Sequence, residues 1–345
     1  MLNSKRRRRV LQIIVICGFL MIIQRMVIES NSQSETCAHV IQSFSKPNLY
    51  VEYVNGSEFQ HLTPDQWKTL IKFCQPVIGN EELKMCLYPP KKDIISDWIH
   101  KKGSWEEEVF HVLITALNLV ANPYYLDLGA NIGSHSLRVA QNGFPTMSVE
   151  PSIFNYARLS RSAELSGLKD LVIVRNAVSD SRREVQLGLY MRENYGSVHV
   201  VEKTKRTPTS DNNIVKSVLF SDILDEVANK ASVDNAIDLV VKIDIEGQEC
   251  KAILGSVESL SWNEFYHIQV IVMEWRFKDV GSKCSKSEIQ RLAQVLSDAG
   301  FRPYHAKMPR KLDPANSLRW PTLDMMWVHH TIENEFLTTL FPDTS

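Results

Sequence analysis

The sequence predicts an α/β protein built on a mainly parallel β-sheet with helices on both faces. Three observations predict it. Short apolar runs, such as Leu171-Val-Ile-Val174 and Leu239-Val-Val241, have the character of strands covered on both sides. Helical stretches alternate with these runs, as the connections of a parallel sheet require. The segment from Tyr124 to Gly133, Tyr-Tyr-Leu-Asp-Leu-Gly-Ala-Asn-Ile-Gly, has the form of a buried strand ending in a glycine-marked turn ahead of a helix.

Taken in order, strands are expected at 124–128, 146–150, 171–175, 239–244 and 268–274, with helices at 134–142, 152–166 and 249–260. After a helix at 286–299, Phe301–Ala306 and Met325–His329 form an expected antiparallel pair, which brings the sheet to seven strands. Val185–Tyr190 adds a further strand, and Thr204–Asn213 is polar and expected to be a mobile loop. Upstream, Thr63-Pro64-Asp65 is a helix start, with an N-cap, proline at the first helical position and an acid in the first turn; this helix is expected to run to about Cys74. Pro89-Pro90 breaks the chain. Ser104-Trp-Glu-Glu107 has the pattern of a capping box opening a helix through Asn118, which explains Trp105 and the acids at 106–108 as features of a capped amphipathic helix.

The glycine turn carries chemistry. Asp127 stands just before it, and Glu150 ends the next strand, seventeen residues after Gly133. A strand, a turn, a helix and an acid at the following strand tip are what a nucleoside site requires. The pattern G-x-G-x-x-G for a dinucleotide is not met. Counted from Gly129, Asn131 replaces the second glycine and Ser134 the third. A side chain stands where a diphosphate needs bare backbone. S-adenosylmethionine has an adenosine, a sulfonium and an amino-acid end but no phosphate, and suits an acid-flanked turn better than NAD does.

The chain has 345 residues and a formal net charge of −1, which argues against a general nucleic-acid-binding role. Lys5-Arg-Arg-Arg-Arg9 precedes an apolar stretch. Residues 1–9 are expected to be a cytoplasmic tail by the positive-inside rule, and 10–28 a signal anchor. A cleaved signal peptide is the alternative, but no clean small-x-small site follows the apolar run. Residues 29–48 are a polar stem, 49–104 an N-terminal helical cap region and 105–335 the main domain. The body is thereby expected in the secretory lumen, anchored in a Golgi or ER membrane. Asn55-Gly-Ser57 is a glycosylation acceptor that fits such an address. Of six cysteines, Cys17 lies in the apolar stretch, and Cys74 and Cys86 are disulfide candidates flanking a turn-rich segment. Cys250 is expected to be a buried free thiol.

With these pieces in order, the chain resembles the FkbM family of S-adenosylmethionine-dependent methyltransferases. The residues that carry the resemblance are Asp127-Leu-Gly-Ala-Asn-Ile-Gly133, Val149-Glu-Pro151, Asn176-Ala-Val178, Tyr195-Gly-Ser197, Lys242-Ile-Asp-Ile-Glu-Gly-Gln-Glu249 and Glu274. Upstream, Cys86, Asp93-Ile-Ile-Ser96 and Gly103-Ser-Trp-Glu106 resemble animal secretory members. The resemblance implies a Rossmann-like class I methyltransferase fold and O-methylation, including that of sugar hydroxyls. The expected acceptor is a glycan in the secretory pathway. A lipid or small secreted metabolite is the alternative acceptor, and a catalytically inactive luminal binding protein the non-enzymatic one.

Roles follow for single residues. Gly129, Ala130, Asn131 and Gly133 shape the turn around the methionine end, and Asp127 engages its amine directly or through water. Glu150, followed by Pro151, holds the ribose hydroxyls, and Asn176 and Ala177 border the adenine. Asp244 is expected beside the methyl group, orienting the acceptor hydroxyl or taking its proton. Glu246 follows on the turn, while Glu249 equally suits a helix N-terminus. Lys242, among apolar strand residues, needs an acid partner, for which Glu274 is the expected one. His135 is the imidazole candidate for the base. Asp244, Glu246 and Glu274 are compatible with an oxygen-rich divalent metal site, which their spacing does not demand. The oligomeric state is left open.

Overall fold

The computed structural model describes residues 65, 68, 72–191, 194–201, 213–230, 235–277, 284–308, 310–321 and 323–342. The tail, anchor, stem and Asn55, and most of the polar loop at 204–213, lie outside them. Among the described residues no helix is long and apolar enough to cross a membrane.

Seven strands form the central sheet: β3 (Pro123–Leu128), β4 (Thr146–Val149), β5 (Leu171–Val174), β10 (Ile237–Ile243), β11 (Tyr266–Trp275), β12 (Phe301–His305) and β13 (Leu323–His329). Their order is β12-β13-β11-β10-β3-β4-β5. Strands β11, β10, β3, β4 and β5 run parallel, and β13 is antiparallel to both β11 and β12. This is the Rossmann-like arrangement the alternation predicts, with the expected antiparallel pair at one end. Every residue of β10 is buried, as its central place requires, and its middle, Leu239–Val241, is wholly apolar, while the charged Asp238 and Lys242 stand near its two ends.

Helices cover both faces. On one face α2 (Glu107–Leu119) buries Val109, Val112, Leu113 and Ala116, whose three- and four-residue spacing makes one apolar stripe. That stripe packs with Tyr125, Val240, Val270 and Val328, and with Phe336 of α8 (Glu333–Leu340). On the other face α5 (Phe220–Ala228), α6 (Glu249–Leu254) and α7 (Lys286–Asp298) enclose Leu126, Val241 and Ile271. Helix α3 (Ser136–Gln141), which packs on β3, β4 and β5, and α4 (Ile153–Leu165) share a third cluster with α1 (Ile94–Lys102) and a hairpin. A smaller four-stranded sheet, β6-β9-β7-β8, interrupts the alternation between β5 and β10. Its strands are β6 (Ala177–Val178), β7 (Arg183–Met191), β8 (Asn194–Val201) and β9 (Ile214–Val218).

Four expectations change. The region at 49–104 is not merely helical: residues 65, 68 and 72 are helical, but β1 (Cys74–Val77) and β2 (Asn80–Cys86) form an antiparallel hairpin. Its register places Cys74 opposite Cys86, and the two are disulfide-bonded. Cys250 is not a free thiol; it is bonded to Cys284, thirty-four residues away, tying α6 to the entry of α7. The expected helix at 249–260 divides into α6 and a 3-10 turn at Val257–Leu260. Ser104 does not cap α2, which begins at Glu107 with Glu106 in the left-handed region at φ 48°. The reason for this last departure lies in the site.

Candidate active site

The turn after β3 is shaped by close approach. Gly129 has φ 88°, and a Cβ there would overlap the carbonyl oxygen of Asp244 at the end of the neighbouring strand. Its N–H donates to Val149 O at 2.9 Å, and that of Ala130 to the same oxygen at 3.1 Å. Gly133 also has φ 88°, and a side chain there would run into Leu159 of α4. These glycines let strand, turn and helix pack; Gly129 also brings the β3 and β10 tips together. Asn131 takes a left-handed φ of 53°, a conformation asparagine tolerates better than most residues.

Glu150 holds the turn in place. Its carboxylate accepts from the backbone N–H of Asn131 at 2.9 Å and of Ser152 at 2.8 Å, and from Asn155 Nδ2 at 3.2 Å. Burial pushes its carboxyl up to about 7, against the pull of those donors. Three donors leave acceptor capacity on a group with about four lone-pair sites. Asn131 Nδ2 and Asn155 Nδ2 both donate to Gly196 O, at 3.2 and 2.9 Å. The Gly196 N–H donates to Asp93 Oδ2 at 3.0 Å, while Asp93 Oδ1 caps α1 by accepting from Ser96 N at 2.7 Å. One buried carboxylate thus fastens β8 over the turn and starts the helix beside it.

Between these elements lies a cleft. Gly129, Asn131, Glu150, Pro151, Asn176, Ala177, Asp244 and Glu246 all line it, from residues scattered over more than a hundred positions. Ile95 and Gly196, which spacing does not single out, line it too. Asp127, Ala130 and Gly133 do not. Asp127 is buried under the turn, where Ser136 Oγ donates to its Oδ2 at 2.5 Å and Ser148 Oγ donates to Ser136 Oγ at 2.7 Å. A direct contact between Asp127 and a bound amine is therefore not what the fold presents.

At the end of β10 the acids gather. Lys242 Nζ lies 2.9 Å from Asp244 Oδ2, so its partner is Asp244 and not Glu274. Burial alone would lower the Lys242 ammonium, but Asp244, Asp127 and Glu106 outweigh it and hold it above its ordinary value. Ser197 Oγ donates to Glu246 Oε1 at 2.7 Å, and burial with the charge of Asp244 raises the Glu246 carboxyl. Glu274 faces Arg276 at 3.5 Å; burial, reinforced by Asp244, pushes it up to about 9, which favours its protonated form. Glu249 accepts from the Ile245 and Gly247 N–H groups at 3.0 and 3.1 Å, shaping the turn that presents Asp244 rather than facing the cleft. Among the described residues no group of His, Cys, Asp or Glu is arranged to hold a metal ion; Asp244, Glu246 and Glu274 do not form one.

Two residues in this cluster escape sequence reasoning. Glu106 occupies the N-cap of α2 but makes no side-chain capping bond, and its carboxylate instead meets His135 Nε2 at 3.2 Å. Burial would raise it, but His135, Lys242 and Lys307 together hold it below its ordinary value. Asp324 lies directly opposite Glu274 in the β11–β13 register and 3.5 Å from Lys307. His135 does not line the cleft; it is buried at the start of α3. A capping pattern hid Glu106, and only strand register reveals Asp324.

The chain matches the model of the Methyltransferase FkbM domain over residues 127–303. Among curated proteins nothing matches. Solved structures with similarity include an O-methyltransferase from Bacillus cereus in complex with SAH, 12% identical, covering 79% of this chain and 93% of that one, with a TM-score of 0.37. A precorrin-6y C5,15-methyltransferase from Geobacter metallireducens is 12% identical over 66% of this chain and 92% of its own, with a TM-score of 0.34. A magnesium protoporphyrin IX methyltransferase from Synechocystis, with bound SAM, is 11% identical over 65% and 77%, with a TM-score of 0.33.

Proposed function

The chain belongs to the FkbM methyltransferase family, and from that premise we propose that it transfers a methyl group from S-adenosylmethionine to a sugar hydroxyl on glycans of the secretory pathway. The observation that carries the reading is Asp244, which lines the cofactor cleft on one side and stands among Lys242, Glu246 and Glu274 on the other. A group at that junction is placed to act on an acceptor brought against a bound methyl donor.

The residues fit the cofactor. Asn131 fills the space a diphosphate needs, Glu150 keeps acceptor capacity for a ribose diol, and Asn176 and Ala177 line the same cleft. When bound, S-adenosylmethionine supplies a methyl group whose bond to sulfur breaks as the acceptor's oxygen–carbon bond forms. The protein's share is to position the acceptor and take its proton. Asp244 receives that proton as the new bond forms. Lys242, held protonated beside it, fixes the carboxylate's orientation and is not itself the base. Glu274, whose protonated form burial and Asp244 favour, offers the acceptor an O–H donor.

The luminal address rests on different support. Disulfides persist in oxidising compartments, and Cys74–Cys86 and Cys250–Cys284 are both joined. The basic cluster ahead of the apolar stretch at 10–28 fits a Golgi or ER signal anchor.

The test is to express the chain in a secretory host, measure S-adenosylmethionine binding by calorimetry and offer glycans with labelled methyl donor. Asp244→Asn should lower kcat by about 10²–10⁴-fold while cofactor affinity changes far less. Unchanged turnover removes Asp244 from the mechanism, and absence of cofactor binding sinks the reading as a whole.

A further inference from the structure

A second polar surface meets the cofactor cleft at Asp244 and continues away from it. Cross-strand register puts Glu274 of β11 beside Asp324 of β13. Glu106 and His135 close this row from the ends of α2 and α3. Its carboxylates are neither fully buried nor free: the side chains of Asp244, Glu274, Asp324 and Glu106 are 34%, 27%, 20% and 26% exposed. Lys307 and Arg276 interleave two cations. Beneath the row, His135 Nδ1 and Asp127 Oδ1 are buried without a hydrogen-bond partner among the described residues. A surface of this kind offers donors and acceptors side by side, as a polyhydroxylated ligand requires.

An independent observation lies at its margin. Trp105 directly precedes Glu106 and packs edge-to-face with Trp98 of α1, ring centroids 6.1 Å apart. Trp98 is half exposed, and Ile94, one helical turn before it, is exposed to the same extent. Three residues before Trp98, Ile95 lines the cofactor cleft. Helix α1 therefore runs from the cofactor to the indoles, and Glu106 runs from the indoles back to the acid row. An aromatic face carries negative charge density and suits the polarised C–H face of a sugar ring. A lipid chain would leave the carboxyl row unmatched.

We propose that these two features form one acceptor site for a carbohydrate of at least two sugar units, with the reacting unit on the Asp244–Glu274–Asp324–Glu106 row and its neighbour on the Trp98–Trp105 indoles. The proposal rests on the sugar-methylating reading above and adds the size and binding mode of the acceptor. Trp98 is its sensitive probe, because a half-exposed side chain can be removed without opening the core.

The experiment uses the full chain. Methyl transfer is measured on methyl glycosides of mannose, galactose, fucose and N-acetylglucosamine and on the corresponding disaccharides. Trp98→Ala is compared with wild type and with Phe265→Ala, a similarly exposed aromatic just ahead of the N-terminal end of β11, the end away from Glu274. Trp98→Ala is expected to raise KM for disaccharides about tenfold, the effect of losing one aromatic anchor. The kcat, the monosaccharide KM and cofactor affinity should stay within about twofold, and Phe265→Ala should match wild type. Asp324→Asn should lower kcat/KM on mono- and disaccharides alike. Disaccharide turnover that ignores Trp98→Ala overturns the two-unit site while leaving the sugar-methylating reading intact. Cofactor binding with labelling of lipids or small metabolites, and of no saccharide, overturns both.

Discussion

Glu274→Gln should make the protein more stable at neutral and alkaline pH. Folding holds Glu274 at about 9 against an ordinary 4.5, chiefly through burial and then through Asp244, with Arg276 opposing. Below pH 4.5 both folded and unfolded chains carry the proton, and nothing is lost. Above it the unfolded chain ionises while the folded one does not, so stability falls as pH rises until the folded carboxyl itself titrates near 9. At pH 7, 2.5 pH units above the ordinary value of 4.5, the ceiling is about 3.4 kcal/mol, taking 1.36 kcal/mol per pH unit. The side chain is 27% exposed, and solvent screening brings the expected gain to about 1–3 kcal/mol. Glutamine keeps the shape and cannot ionise. Urea unfolding at pH 5, 7 and 8.5 should show the two proteins nearly equal at pH 5 and diverging as pH rises. Parallel pH profiles would show that Glu274 is ordinarily ionised in the fold and refute the neutral-donor assignment.

Two further outcomes follow from packing and covalent structure. Gly129→Ala should cost more than about 3 kcal/mol, because its Cβ would overlap the Asp244 carbonyl and φ is positive; a thermal midpoint within a degree or two of wild type would contradict this. Removing the second disulfide as Cys250→Ala/Cys284→Ala opens a loop of thirty-four residues and should cost about 2–4 kcal/mol. Denaturant unfolding with and without reductant checks it: reductant should shift the wild type further than the variant, and equal shifts would show that this link adds nothing.

The parallel strands were legible because burial on both faces forces apolar runs, as Leu239-Val-Val241 of β10 illustrates. The turn glycines and Glu150 were legible because their chemistry is local in sequence. What was missed depends on distance. The capping pattern at Ser104 is sound local chemistry, yet Glu106 takes a left-handed φ and turns to His135, twenty-nine residues on. Lys242 announces its need for an acid, but two candidates were in reach and geometry chose Asp244. Cys250 looked solitary because Cys284 comes beside it only after β11 has been laid down next to β10.

The placement of β13 has a practical consequence. The family signature covers 127–303, yet β13, at Leu323–His329, is wedged between β11 and β12. A fragment cut to the signature would lose the wedge, expose the long edge of β11 and keep three residues of β12 with nothing to pair against. It would also begin inside β3 and lack Asp93 and Glu106. Such a fragment should expose an open sheet edge and aggregate. The segment by which this protein is identified is therefore smaller than the segment that folds, and a soluble catalytic domain needs chain from both sides of the signature.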